Sequence, residues 1–314
     1  LVNHSSRSPF DPAILDALAG LDFVARTVVE GFLAGEHRSP RRGSSAEFAQ
    51  HREYSPGDDL RHIDWRIFAR SERLVVKEYI EESNLIANIV LDTSGSMAFT
   101  GNGLEGEPGW SKLDYACWVA AALGQLILGQ RDVAGLVLFD TESHQVLPPA
   151  GGAPQRAALL KQLEATEPGG ETKEGASLSQ VVGHMPGRGI AIVISDFLGE
   201  VSEIFKGIET LISQGHEPVL IQVLHPRELD FDFDGHLRLQ DLEGASDLKV
   251  DARVLRDAYI EEVKAHQDEL QRRAAAYAVD FIPMQTDTGV DVALSRYLAI
   301  RSARLTRHAG GLGR

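Results

Sequence analysis

Leu-Ile-Ala-Asn-Ile-Val-Leu-Asp-Thr-Ser-Gly-Ser-Met, the stretch Leu85–Met97, decides how this chain is read. A mostly apolar run enters Asp92, and Ser94 and Ser96 follow at two-residue intervals. A short, nearly continuous apolar run bounded by turn residues is the pattern of a strand buried on both faces. Its carboxyl end delivers one carboxylate and two hydroxyls to a single loop, where open α/β sheets present their ligands. Oxygen-only donors of this kind suit a hard divalent cation such as Mg²⁺.

Further along, Ile190–Asp196 (Ile-Ala-Ile-Val-Ile-Ser-Asp) repeats the same grammar, a buried strand ending on an aspartate. Between and after these two come apolar runs and helical periodicities in alternation. Strands are expected at 74–80, 133–139, 219–223 and 279–283, with helices at 112–130, 155–165, 201–213 and 252–278. A short edge strand is expected at His144–Leu147, stopped by Pro148-Pro149, a short helix near Ala176–His184, and a closing helix at Val290–Arg301. Alternation of this kind predicts an α/β fold, a doubly wound and mostly parallel sheet with right-handed crossovers. Residues 229–250 break the rhythm with two alternating pieces around Glu243-Gly244 and are expected to form an inserted β-hairpin. The domain reading is an N-terminal helix and accessory region over 1–83, the α/β domain over 84–300, and a tail over 301–314.

Composition is ordinarily globular, and the net charge of −15 argues against general nucleic-acid binding, because phosphate backbones select basic surfaces. A single cysteine, Cys117, excludes an intrachain disulfide framework and a cysteine-rich metal site. No apolar run approaches the length of a membrane span, so the expectation is a chain without one, located in the cytoplasm.

Upstream of the α/β pattern, Asp11-Pro12 opens an amphipathic helix expected to run to about Leu33. Residues 36–77 then carry a net charge of +2, against −17 for the remainder. Two readings stand side by side. In one, the mixed charges form local salt bridges around a buried Trp65. In the other, Arg41, Arg42 and Arg61 belong to a partner- or anion-binding patch on an otherwise acidic protein.

The first and third loops, Asp92-Thr93-Ser94-Gly95-Ser96 and Ser195-Asp196, follow parallel strands, so both aspartates should reach one sheet edge. Between them lies Gly169-Gly170-Glu171-Thr172. Asp92-x-Ser94-x-Ser96-Met97, Gly-Gly-x-Thr172-x-x-Gly175 and Ser195-Asp196 together resemble the metal-ion-dependent adhesion site of von Willebrand factor A domains. The resemblance implies that Ser94, Ser96 and Thr172 contact a metal directly, with Asp92 and Asp196 supporting them. It further implies that an acidic side chain of a partner completes the shell. The expected ion is Mg²⁺, with Mn²⁺ or Ca²⁺ as alternatives.

Glu47-Phe48, Arg52-x-Tyr54-x-Pro56-Gly57-Asp58-Asp59-x-Arg61-x-Ile63-Asp64-Trp65 and Ala69-Arg70 are similar to the signature of the domain-of-unknown-function 58 family. That family joins such a region to a von Willebrand factor A domain and is generally encoded beside MoxR-type AAA+ ATPases. The resemblance implies a bacterial, metal-dependent protein-binding adaptor that works with such an ATPase in remodelling, complex assembly or cofactor insertion.

The alternative is a metal-dependent phosphoesterase or other hydrolase using the Asp92/Asp196 site. A phosphoryl-transfer site built on a strand-terminal aspartate calls for a second carboxylate two residues on, and that position is Ser94. Gly-x-Ser-x-Gly is absent around Ser94 and Ser96, as are His-Glu-x-x-His and a phosphate-binding Gly-rich loop. The expectation is therefore a binding module and not an enzyme. In the plainest reading, Asp92 and Asp196 only cap helices, and Ser94 and Ser96 fill a turn.

Overall fold

The computed structural model describes residues 46–55, 63–81, 85–101, 110–140, 144–169, 178, 182, 185, 188–233, 236–240, 247–290 and 292–294. The described residues before 85 form one compact unit and those from 85 onward another.

In the first unit, β1 (Ala46–Glu53) pairs antiparallel with β2 (Val75–Glu81), with Glu53 opposite Val75 and Ala46 opposite Glu81. Helix α1 (Trp65–Ser71) lies between them in sequence. Asp64 caps it, its Oδ1 accepting from Arg66 N at 3.0 Å and Ile67 N at 3.3 Å, the usual way a short helix satisfies its first amides. Ile63 bridges to Val76 and is buried. The expectation of a buried Trp65 fails. Trp65 is 61% exposed and meets Phe68 edge-on at 6.1 Å. Ile63 and the capping Asp64 take the inward positions, so the helix begins by turning its first residue outward. Arg41, Arg42, Arg61 and the expected helix ending near Leu33 lie outside the described residues.

The second unit is built on a six-stranded sheet of order β10-β7-β6-β3-β4-β5. Its strands are β3 (Ile86–Asp92), β4 (Val133–Phe139), β5 (His144–Ala150), β6 (Ile190–Ser195), β7 (Glu217–Leu224) and β10 (Asp280–Gln285). Every pairing is parallel except β4 with β5. The chain leaves β3 toward β4 and β5, then returns to lay β6 on the other side of β3. The strand order therefore reverses between β3 and β6, and their carboxyl ends flank the crevice that such a reversal opens.

Alternation along β3 divides the core. Ile89 and Leu91 join the apolar cluster under α2 (Lys112–Gly129) and α3 (Gly152–Glu164), whereas Val90 joins the cluster under α4 (Val201–Ser213) and α6 (Ala252–Ala276). Asn88, also buried, lies over Gly135 of β4, where a Cβ would come within 2.5 Å of its Oδ1.

The doubly wound, mostly parallel sheet expected from the sequence is present, with two adjustments. The edge strand continues through Pro148-Pro149 to Ala150, because prolines cost little on an edge where no ladder donor is needed. Its register shifts between Ala134 and Leu136, and Gln155 Nε2 donates to Pro148 O at 2.9 Å and Ala134 O at 2.7 Å. The expected hairpin forms from β8 (His236–Gln240) and β9 (Asp247–Asp251), paired antiparallel. A five-residue helix, α5 (Pro226–Asp230), precedes it where only a break in rhythm was foreseen. Of the short helix near Ala176–His184, Leu178 and Val182 are described and helical. Among the described residues no helix is long and apolar enough to cross a membrane.

Candidate functional site

Leu91 pairs with Ile194, so the neighbouring strands β3 and β6 end together and deliver Asp92 and Ser195-Asp196 to one edge. Both aspartates are buried. Each uses one oxygen locally. Asp92 Oδ1 accepts from Ser94 N at 2.9 Å, and Asp196 Oδ1 accepts from Leu198 N at 3.3 Å. Neither aspartate caps a helix, because the 3₁₀ turn Gly95–Ala98 starts from Ser94 and helix α4 from Glu200. Each second oxygen reaches across the site instead. Ser195 Oγ donates to Asp92 Oδ2 at 2.6 Å, and Lys112 Nζ donates to Asp196 Oδ2 at 2.8 Å.

Among the described residues, the hydrogen-bond donors to Asp92 are neutral. Burial, and then the charge of Asp196, push its carboxyl from 3.8 up to about 6, with the hydrogen bonds from Ser195 and Ser94 pulling the other way. A buried carboxylate whose ionisation is opposed in this way is a place where a nearby cation would be stabilising. Beyond it, the short 3₁₀ turn Gly95–Ala98 folds the chain back and brings Ser94 Oγ to 3.2 Å from Ser96 Oγ. At metal–oxygen lengths of about 2.1 Å, adjacent ligands of an octahedral Mg²⁺ stand about 3 Å apart. The hydroxyl pair fits that spacing. Among the described residues no three His, Cys, Asp or Glu side chains are grouped to hold a metal, so a cation here would depend on hydroxyl oxygens.

The 169 loop reaches the same place. Gly169 N donates to Thr93 O at 2.6 Å, and a Cβ on Gly169 would stand 3.2 Å from that oxygen and 3.1 Å from Asp140 Cβ. A glycine permits this close approach of two backbones. Thr172, the remaining expected ligand, lies outside the described residues.

Sequence reasoning missed the ionic half of the site. Lys112 is the first residue of α2, and its side chain is fully buried. Its Nζ lies 2.8 Å from Asp196 Oδ2 and 2.6 Å from Glu228 Oε1. A cation at a helix N-terminus opposes the helix dipole, and burial also lowers the pKa of Lys112. The charges of Asp196 and Glu228 outweigh burial and raise it on balance. Glu228 is itself fixed by α5, where its Oε2 accepts from His225 N at 2.8 Å in a capping box. His225 Nδ1 accepts from Arg227 N at 3.2 Å, and the His225 ring meets Phe99 edge-on at 5.4 Å. Two signals are readable in the sequence: a lysine directly after the helix-capping Ser111 at the head of an apolar helix, and a glutamate three residues after His225.

The loop past Asp196 is held in an uncommon shape. Phe197 is buried with φ +52°, a left-handed conformation that costs a non-glycine residue energy and concentrates at functional sites. Its N–H donates to Ser195 Oγ at 2.9 Å, and its carbonyl accepts from His266 Nε2 at 2.7 Å. Gln222 Nε2 donates to Asp196 O at 3.0 Å.

Fold and site together define a doubly wound α/β protein that presents paired hydroxyls and buried aspartates at its topological switch point. The chain belongs to the DUF58 family, described as "Protein of unknown function DUF58", whose family profile matches residues 50–269. The uncharacterized protein Rv1480 of Mycobacterium tuberculosis (strain ATCC 25618 / H37Rv) is 27% identical over 297 residues, covering 93% of this chain and 90% of its own. Among solved structures, the conserved hypothetical protein BatB from Bacteroides thetaiotaomicron is similar at TM-score 0.41 and 16% identity, over 70% of this chain and all of its own. The SpRpn10 VWA domain is similar at TM-score 0.36 and 10% identity, over 68% of this chain and 95% of its own.

Proposed function

We propose that this protein is a metal-dependent protein-binding adaptor, and that its partner is a MoxR-type AAA+ ATPase working in a cytoplasmic setting. The observation that carries the reading is the Ser94–Ser96 hydroxyl pair, 3.2 Å apart in front of the buried Asp92 at the switch point. Ser94 and Ser96 would hold the ion directly, with Thr172 as the third hydroxyl that the resemblance implies. A bound Mg²⁺, or Mn²⁺ or Ca²⁺, supplies an electropositive point able to take a carboxylate oxygen from another protein.

The chain's own residues prepare that point. Asp92 orients the Ser94 backbone through Oδ1, and Ser195 anchors the same carboxylate from the next strand. Hydroxyl oxygens are neutral, so they leave most of the ion's charge for the partner. A non-catalytic role is supported by Ser94 standing two residues after Asp92, where a phosphoryl-transfer site would place a second carboxylate as general acid or base. The basic stretch containing Arg41, Arg42 and Arg61 is proposed as a second contact for the ATPase.

The test is capture of the chain by a purified MoxR-type ATPase at one fixed Mg²⁺ concentration, comparing wild type with Ser94→Ala and Ser96→Ala. Loss of capture in both folded variants is expected. Equal capture by all three proteins would sink the metal-dependent reading.

A further inference from the structure

We infer that Lys112 is a positioning residue for the metal site, an internal counter-cation that keeps the intrinsic affinity for a divalent ion low so that a partner's carboxylate must complete the site. The inference rests on the metal reading above and concerns residues outside its ligand set.

Lys112 is fully buried against the carboxylates of Asp196 and Glu228, and Asp92 ends β3 beside the strand β6 that leads into Asp196. The ammonium does two things there. It occupies Asp196 Oδ2 at 2.8 Å, leaving Asp196 only Oδ1, which already accepts from Leu198 N at 3.3 Å. It also cancels one negative charge inside a site shielded from water, where charge pairs are felt far more strongly than at the surface. A divalent ion held by neutral hydroxyls beside a half-neutralised aspartate remains short of negative charge. An incoming acidic side chain supplies it.

The position is held from several elements, which argues for a fixed setting of the site over a loose surface pair. Lys112 starts α2, and its N–H donates to Phe99 O at 3.1 Å. The Phe99 ring lies 5.9 Å from Nζ. Glu228 is locked by its own backbone bond to His225. Asp196 is fixed through its carbonyl by Gln222.

The experiment is direct titration of Mn²⁺ into the full chain at fixed pH and ionic strength, read by calorimetry and by the shift of the melting temperature. The proteins compared are wild type, Lys112→Met and the double variant Lys112→Met/Glu228→Gln. The double variant keeps the net side-chain charge of the cluster equal to wild type while freeing Asp196, and it avoids leaving Glu228 buried as an unpaired charge. Mn²⁺ affinity is expected to rise about ten-fold or more in both variants, with a larger Mn²⁺-induced rise in melting temperature than in wild type. A merely structural lysine would leave affinity unchanged or lower it. Wild type that binds Mn²⁺ while the folded double variant binds equally or more weakly overturns this inference and leaves the metal reading standing. Absence of Mn²⁺ binding in all three proteins overturns both.

Discussion

Asp92 and Asp196 end adjacent parallel strands, are both buried, and each spend one oxygen on the backbone two residues ahead. Their second oxygens separate them. Asp92 Oδ2 receives a neutral hydroxyl from Ser195, whereas Asp196 Oδ2 receives the buried ammonium of Lys112. One sequence pattern, an apolar strand running into aspartate, thus yields a carboxylate short of positive charge and a carboxylate already supplied with it. The difference teaches that the site has an open half and a closed half. The open half contains the hydroxyl pair and is where an added cation would be stabilised. The closed half carries its own cation and fixes the crevice wall.

The strongest way to break this contrast is to remove the cation from the closed half. Truncating one partner of a buried ion pair costs about 3–5 kcal/mol. Lys112→Met is accordingly expected to lower unfolding stability by about that amount in urea denaturation at neutral pH with a chelator present. A change near zero would mean that the Lys112–Asp196–Glu228 cluster is not a paired structural unit.

The open half has a pH signature of opposite kind. The folded carboxyl of Asp92 titrates at about 6 against 3.8 for the unperturbed group, so the folded chain holds that proton more tightly than the unfolded chain. Its contribution is therefore favourable below about pH 4 and is lost as the pH rises through about 6. Without metal, the ionised group costs up to about 3 kcal/mol at neutral pH. The stability of Asp92→Asn relative to wild type should climb between pH 4 and pH 7 in chelator, measured by denaturation midpoints. A flat difference across that range would erase the distinction between the two aspartates.

A smaller effect sharpens the same point. Ser195→Ala deletes the hydroxyl that reaches Asp92 and leaves Asp196 bound to Lys112. The expected cost is about 1–3 kcal/mol, the usual penalty for stripping a donor from a buried acceptor. The pH dependence attributed to Asp92 should move further upward. An unchanged profile would show that Ser195 does not stabilise the carboxylate.

The smallest expected effect is none. Cys117 lies on α2, the helix that starts with Lys112, and burial followed by the charge of Asp114 pushes its thiol up to about 12. Native protein at pH 8 should resist labelling by a thiol reagent such as Ellman's. Rapid labelling of wild type would mean that the helix bearing Lys112 is not held as described, and would undercut the closed half altogether.

What the sequence determined by itself was the part encoded by local pattern. Ile86–Asp92, Val133–Phe139 and Ile190–Ser195 are legible because strands buried on both faces must be apolar along their length. The turn residues after them could be assigned to one sheet edge because parallel strands share a direction. Asp92, Ser94, Ser96 and Asp196 were found on that reasoning. It also gave the hairpin of β8 and β9, though not α5 before it, and Trp65, which one of two readings buried, is exposed.

Only the tertiary structure decided which charges meet. Lys112 and Glu228 are 116 positions apart and touch because α2 and α5 both begin at the carboxyl edge of the sheet. No periodicity records such a pairing, since a buried ion pair depends on three-dimensional proximity and on the removal of water. The same holds for Ser195 and Asp92, joined across neighbouring strands from 103 positions apart. Local sequence placed two aspartates at one edge. Packing gave one of them a lysine and the other a hydroxyl.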